Sequence, residues 1–132
     1  MRELEFLKKL VSIKSFDLNE NKEIVDYLYS EFSKSAEEII LIKNDNNDKR
    51  NMLIGLNTKL KNINNAIILS GHIDTVPANE REYLTNPYNP VIKENRLYGL
   101  GSIDMKSFFA CILSNVKKLK TCVWPHRYCY FS

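Results

Sequence analysis

The stretch Leu69-Ser70-Gly71-His72-Ile73-Asp74-Thr75-Val76-Pro77 sets an imidazole and a carboxylate two positions apart, directly after an apolar run. About thirty residues later, Leu97-Tyr98-Gly99-Leu100-Gly101-Ser102-Ile103-Asp104-Met105-Lys106 adds a second carboxylate behind a pair of glycines. His72, Asp74 and Asp104 together suit metal-dependent hydrolysis. A metal-bound imidazole donates its other N–H to a carboxylate, which fixes tautomer and ring orientation, and Asp74 is placed for that task. Gly99 and Gly101 let the backbone turn sharply and approach a site closely, so Asp104, opening a helix, could bridge two metal ions. Each residue also has a plainer use. A lone histidine after a strand is commonly a surface or core residue. Asp74 could close an Asx-turn ahead of Pro77, and Asp104 could simply cap a helix. Two ligands and one supporting acid are few for a complete metal site.

Other chemistries fit less well. The dinucleotide-binding fingerprint needs a third glycine at position 104, where an aspartate would repel a pyrophosphate. The phosphate-binding loop needs glycine before Lys106, where Met105 stands. Cys122, His126 and Cys129 match no ordinary zinc-ligand spacing and lack a fourth partner.

The pattern of apolar residues indicates the elements that carry the two stretches. Leu4, Leu7, Leu10 and Val11 recur at helical spacing, and Ile24, Tyr27, Leu28 and Phe32 repeat the pattern. Ile39 to Ile42 and Met52 to Leu56 read as strands, separated by an Asn- and Asp-rich loop. Ala66-Ile67-Ile68-Leu69 is an unbroken apolar run, expected to be a central strand buried on both faces. His72 and Asp74 would then lie just past its C-terminal end, where open α/β sheets form their crevices. Pro77, Pro87 and Pro90 imply an irregular loop, Val91 to Tyr98 a short hairpin. Phe109, Ile112, Leu113, Val116 and Leu119 imply a helix beginning near Asp104.

The chain has 132 residues, the size of one domain, with a formal net charge of +3 spread along its length. That balance makes no case for nucleic acid or a membrane surface. No stretch is apolar enough to span a bilayer, and the charged N-terminus lacks a signal-peptide pattern. Three cysteines, all in the C-terminal quarter, make no disulfide framework. These features lead us to expect a cytoplasmic protein.

The two stretches resemble the signatures of the M20 family of metallopeptidases and deacylases. Ser70, Gly71, His72, Asp74, Val76 and Pro77 match Ser-Gly-His-x-Asp-x-Val-Pro. Gly99, Gly101, Asp104, Met105 and Lys106 match Gly-x-Gly-x-x-Asp-Met-Lys. Leu10 to Ile13 and Asn51 to Leu53 are similar to the family's N-terminal segments, so the resemblance runs from about residue 3 to about residue 120. It implies an α/β fold: the N-terminal part of a zinc-peptidase-like catalytic domain, a central sheet with flanking helices. It also implies two zinc ions, or cobalt, with His72 and Asp104 as ligands and Asp74 as the catalytic residue that orients His72. Phe108-Phe109-Ala110 is most similar to the acetylornithine deacetylases of arginine biosynthesis. Succinyl-diaminopimelate desuccinylases and other M20 peptidases are the alternatives, and a non-catalytic remnant or interaction protein is another.

The departures from the family matter too. Ser107 stands where the family usually has glycine, and Lys14 where it often has proline. The family's Glu-Glu pair, general base and ligand, would fall past Ser132, as would its lid and dimerisation domain; intact relatives are often homodimers. Residues 1–120 are therefore expected to be a partial catalytic domain, truncated and inactive. Residues 121–132, crowded with aromatics and of neither period, are expected to be an aberrant tail from a truncated or frameshifted gene.

Overall fold

The computed structural model describes residues 2–16, 20–46, 49–57, 59–60, 67–121 and 129–131. Helix α1 spans Arg2–Ser12 and α2 spans Lys22–Phe32. Strands β1 (Glu38–Lys43) and β2 (Arg50–Gly55) follow, then the hairpin β3 (Val91–Lys93) and β4 (Arg96–Tyr98). Helix α3 spans Lys106–Thr121, and β5 spans Cys129–Phe131.

The helices form where the apolar spacing placed them. α1 buries Leu10 and Val11. α2 buries Ile24, Val25, Leu28 and Phe32. α3 buries Phe109, Ala110, Ile112, Leu113 and Val116. These stripes meet Met52, Ile54 and Leu56 in one core, with α1 against α3 and α2 against β2 and α3. Asn21 ties α2 to the sheet: its amide donates to the Arg50 carbonyl at 2.8 Å and its oxygen accepts from the Arg50 N–H at 2.9 Å. β1 alternates, with Ile39 and Leu41 packed inward and Ile40 and Ile42 exposed. The hairpin turns through Glu94 and Asn95, both at positive φ, as a tight two-residue connection requires.

The sheet departs from expectation. β2 pairs antiparallel with β1 on one edge and with β5 on the other. Residues 67–70 form no strand, and Ile67 and Ile68 are exposed; Ala66 lies outside the described residues. A strand needs a ladder partner, and none of the described strands pairs with this segment. β5 falls within the segment expected to be an aberrant tail, and its backbone extends the sheet through Met52↔Phe131, Leu53↔Tyr130 and Ile54↔Cys129.

The apolar run instead continues as a segment that, among the described residues, pairs with no strand and alternates in exposure. Leu69 packs on the core, Gly71 and Ile73 are buried, and Ser70, His72, Asp74 and Val76 are exposed. One bond fixes it at a distance: the Thr75 N–H donates to the Ser15 carbonyl at 3.0 Å. The loop that follows is irregular apart from a 3-10 turn at Glu80–Glu82.

Phe109, 1 % exposed, fills the centre of this core, whereas Leu84 is fully in solvent at 100 %. Phe109→Ala should lower the unfolding free energy by about 3–5 kcal/mol, and Leu84→Ala should change it by less than about 0.5 kcal/mol. Urea unfolding of the two variants checks this, and equal effects would mean that the core is wrongly drawn.

Candidate metal-binding site

His72 stands on the outward face of the extended segment, and Asp104 lies in the turn that leads into α3. The structure brings them together: His72 Nε2 is 3.1 Å from Asp104 Oδ1. The other ring nitrogen faces Asp74. His72 Nδ1 is 3.0 Å from the Asp74 carbonyl oxygen and 3.3 Å from its carboxylate Oδ1. The imidazole is thus held between a backbone oxygen and two carboxylates, with Asp74 acting more closely through its main chain than through its side chain. Burial lowers the His72 pKa, but the bond to the Asp74 carbonyl, the bond to Asp104 and the two negative charges outweigh it. The net direction is upward from the ordinary 6.5.

Two glycines make this arrangement possible. A Cβ on Gly71 would lie 2.9 Å from Met105 Cε and from the Phe108 ring, so only glycine lets the His72 segment press on the start of α3. Gly101 adopts φ +75, which suits glycine. A Cβ there would fall 2.9 Å from Thr75 Cγ2 and 3.1 Å from Lys106 Cδ. The turn closes through Ser102 N–H to the Gly99 carbonyl at 3.2 Å and Lys106 N–H to the Gly101 carbonyl at 2.9 Å. The Asp104–Met105 peptide is cis. α3 begins at Lys106, one residue later than a capping role for Asp104 would place it.

A cleft of about 480 Å³ opens over these residues, walled by Phe16, Val76, Tyr83, Leu100 and Ile103. Its lining is mixed, with Thr75 and Ser102 beside the apolar side chains. Lys14, in the family's frequent proline position, sets its ammonium 4.8 Å over the Tyr88 ring, and that ring in turn lies 5.9 Å from Phe16. Ser107 returns its hydroxyl to the Ile103 carbonyl at 3.2 Å, one turn back.

Sequence reasoning passed over Lys106. The residue is 1 % exposed, and its ammonium donates to the Ile13 carbonyl at 2.8 Å. Burial pulls its pKa down to about 8, against the opposing pull of Glu23, so it is charged at neutral pH. The signal was present: positions 106, 109, 110, 113 and 116 form one helical stripe, and Lys106 stands at its head.

As for a metal, His72 and Asp104 offer one nitrogen and one carboxylate converging on one point, the right donor types for zinc. Among the described residues, no cluster of three or more His, Cys, Asp or Glu side chains is arranged to hold an ion. The donors fit, but they are part of a coordination shell. Cys122 and His126 lie outside the described residues.

Residues 68–127 match the peptidase family M20/M25/M40. The chain carries a segment of that M20 family. It is 33 % identical over 127 residues to an acetylornithine deacetylase of Buchnera aphidicola subsp. Acyrthosiphon pisum, covering 88 % of this chain and 32 % of that protein. An acetylornithine deacetylase of Vibrio campbellii is 49 % identical over 53 residues, 40 % of this chain and 14 % of the relative. The fold matches an M20 family metallo-carboxypeptidase from Sulfolobus solfataricus with a TM-score of 0.75 at 21 % identity, over 90 % of this chain and 27 % of that one. Human carnosine dipeptidase 1 matches with a TM-score of 0.68 at 18 % identity, over 98 % and 31 %. The chain thus has the mixed helix and strand fold of M20 catalytic domains, and it spans about a third of the length of the deacetylase that it matches over most of its length. Among the described residues, no helix is long and apolar enough to cross a membrane.

The upward direction for His72 has a defined sign. A raised folded-state pKa contributes stability at low pH that is lost as pH rises through that pKa, and the half-exposed ring keeps the contribution small. In the metal-free chain the ring should titrate above 6.5, and Asp104→Ala should bring the midpoint down. Proton resonances of the imidazole followed against pH measure both. A midpoint unmoved by Asp104→Ala would show that the two side chains do not meet in solution.

Proposed function

We propose that these residues form the metal-facing part of a metal-dependent amidohydrolase that removes the acyl group from an N-acyl amino acid. N-acetylornithine is the substrate we favour, which would place the protein in arginine biosynthesis. The observation that carries the reading is the meeting of His72 Nε2 and Asp104 Oδ1 at 3.1 Å in the lining of a cleft, with Asp74 holding the opposite ring nitrogen. The relatives named acetylornithine deacetylase support the substrate.

In this reading His72 and Asp104 are ligands to zinc or cobalt. Asp74 is the residue that keeps His72 in position: its carbonyl accepts from Nδ1–H, which would leave the Nε2 lone pair to a metal. Protons compete at the same atom, because both ring nitrogens face oxygen acceptors and an imidazolium satisfies both. The bound metal would supply a water of lowered pKa and a Lewis acid for the amide oxygen. Phe16, Val76, Tyr83 and Ile103 would offer apolar surface beside the substrate. No described residue beside His72 and Asp104 is placed as a general base.

Two other readings share this site. An acyl group such as succinyl on diaminopimelate would need the same ligands. A non-catalytic metal-binding remnant is favoured by the lack of any three-ligand cluster among the described residues.

Zinc dialysis and cobalt absorption on the 132-residue chain test the proposal. We expect weak binding of either metal, lost in His72→Ala and in Asp104→Ala, and no turnover of N-acetylornithine or N-succinyl-diaminopimelate. Binding that survives both substitutions would sink the site. Turnover that disappears in Asp104→Ala would overturn the expected inactivity and, by the substrate used, would fix the acyl group. A cobalt spectrum that responds to the succinyl substrate and not to N-acetylornithine would favour the desuccinylase reading.

A further inference from the structure

Asp104 is held loosely by its own side chain. The side chain is 80 % exposed, and among the described residues its carboxylate is bonded by His72 alone. Its place must therefore come from the backbone of the turn between Gly99 and Lys106.

That turn has one deep anchor. Lys106 enters the protein from the first residue of α3, with its stem against Gly101 and its ammonium on the carbonyl of Ile13. Ile13 lies just past the end of α1, 93 residues away in sequence. Two residues further on, the Ser15 carbonyl receives the Thr75 N–H. The His72 segment and the Asp104 turn are thus both referenced to the same short piece of chain, residues 13–15. They also touch each other where Thr75 Cγ2 would meet a Cβ on Gly101.

A buried lysine is an expensive way to fill a helix face, since desolvating its charge opposes folding. An apolar residue would pack the stripe of α3 equally well, but it would supply no bond to Ile13.

We propose that Lys106 is the positioning residue of this site: its ammonium on Ile13 and its stem on Gly101 fix Asp104 opposite His72. It touches neither metal nor substrate. The inference rests on the reading of His72 and Asp104 as ligands, but its central test does not need a metal.

The test uses the full chain with ¹⁵N-labelled histidine, metal-free and at one fixed pH. The Nε2 signal of His72 is compared in three proteins: the parent, Asp104→Ala as the reference for a broken pair, and Lys106→Met, which keeps the stem and removes the donor. We expect Lys106→Met to keep the far-UV circular dichroism of the parent while its Nε2 signal moves to the Asp104→Ala position. We also expect its cobalt affinity to fall about 10- to 100-fold, the scale for groups that orient metal ligands. An Nε2 signal unchanged from the parent overturns the proposal, whatever happens to stability. Should Lys106→Met fail to fold, Lys106→Gln, which keeps an N–H donor on a shorter stem, is read in the same way; if neither folds, Lys106 is a folding residue and the proposal fails. If the parent binds no cobalt, the ligand reading fails on its own, and the Nε2 comparison still decides the role of Lys106.

Discussion

The inner face of α3 presses Phe109, Ala110, Ile112, Leu113 and Val116 against α1, α2 and the inward residues of β2. Each fully buried side chain of this kind contributes about 1.5–3 kcal/mol relative to exposure. That packing fixes the direction of α3, and with it the place where its N-terminus emerges. Asp104 lies two residues before that N-terminus, and the His72 segment is laid across it at Gly71. The candidate site is therefore set by a helix–helix contact that shares none of its chemistry.

Polar bonds tie the helix ends to the rest of the fold. Asn21 joins the start of α2 to Arg50, Lys106 joins the start of α3 to Ile13, and Thr75 joins the site segment to Ser15. Apolar burial sets the distances between elements but tolerates sliding. Directional bonds at the helix ends remove that freedom. Among the described residues, Ser15 Oγ and Thr75 Oγ1, both buried, have no such partner, and the bond at this junction runs between backbone groups.

Much of this was legible in the sequence. The stripes of α1, α2 and α3 have clear helical periods, and a hairpin was expected over Val91 to Tyr98. The pairing of His72 with Asp104 was legible because both motifs follow segments read as extended and both carry metal-ligand chemistry. The central strand at Ala66–Leu69 was not. An apolar run suggests burial, but a strand also requires a partner in register, and no described strand pairs with residues 67–70. The strand at Cys129–Phe131 was equally hidden, since three residues of pairing carry no period. Lys106 was missed because a lysine is read as solvated by default, although its place in the α3 stripe pointed inward.

The alternation along residues 69–76 has a consequence for how this stretch can vary. With Leu69, Gly71 and Ile73 turned inward, His72 and Asp74 reach the cleft only because they stand on even steps from Ser70. Loss or gain of a single residue between Leu69 and His72 would reverse the parity: the imidazole would enter the core and an isoleucine would face the cleft. A change of two residues would keep the faces but take Gly71 out of its contact with Met105 and Phe108. The length of this stretch is therefore fixed twice over, by which face each side chain takes and by the one position that admits no Cβ, and independently of any ligand.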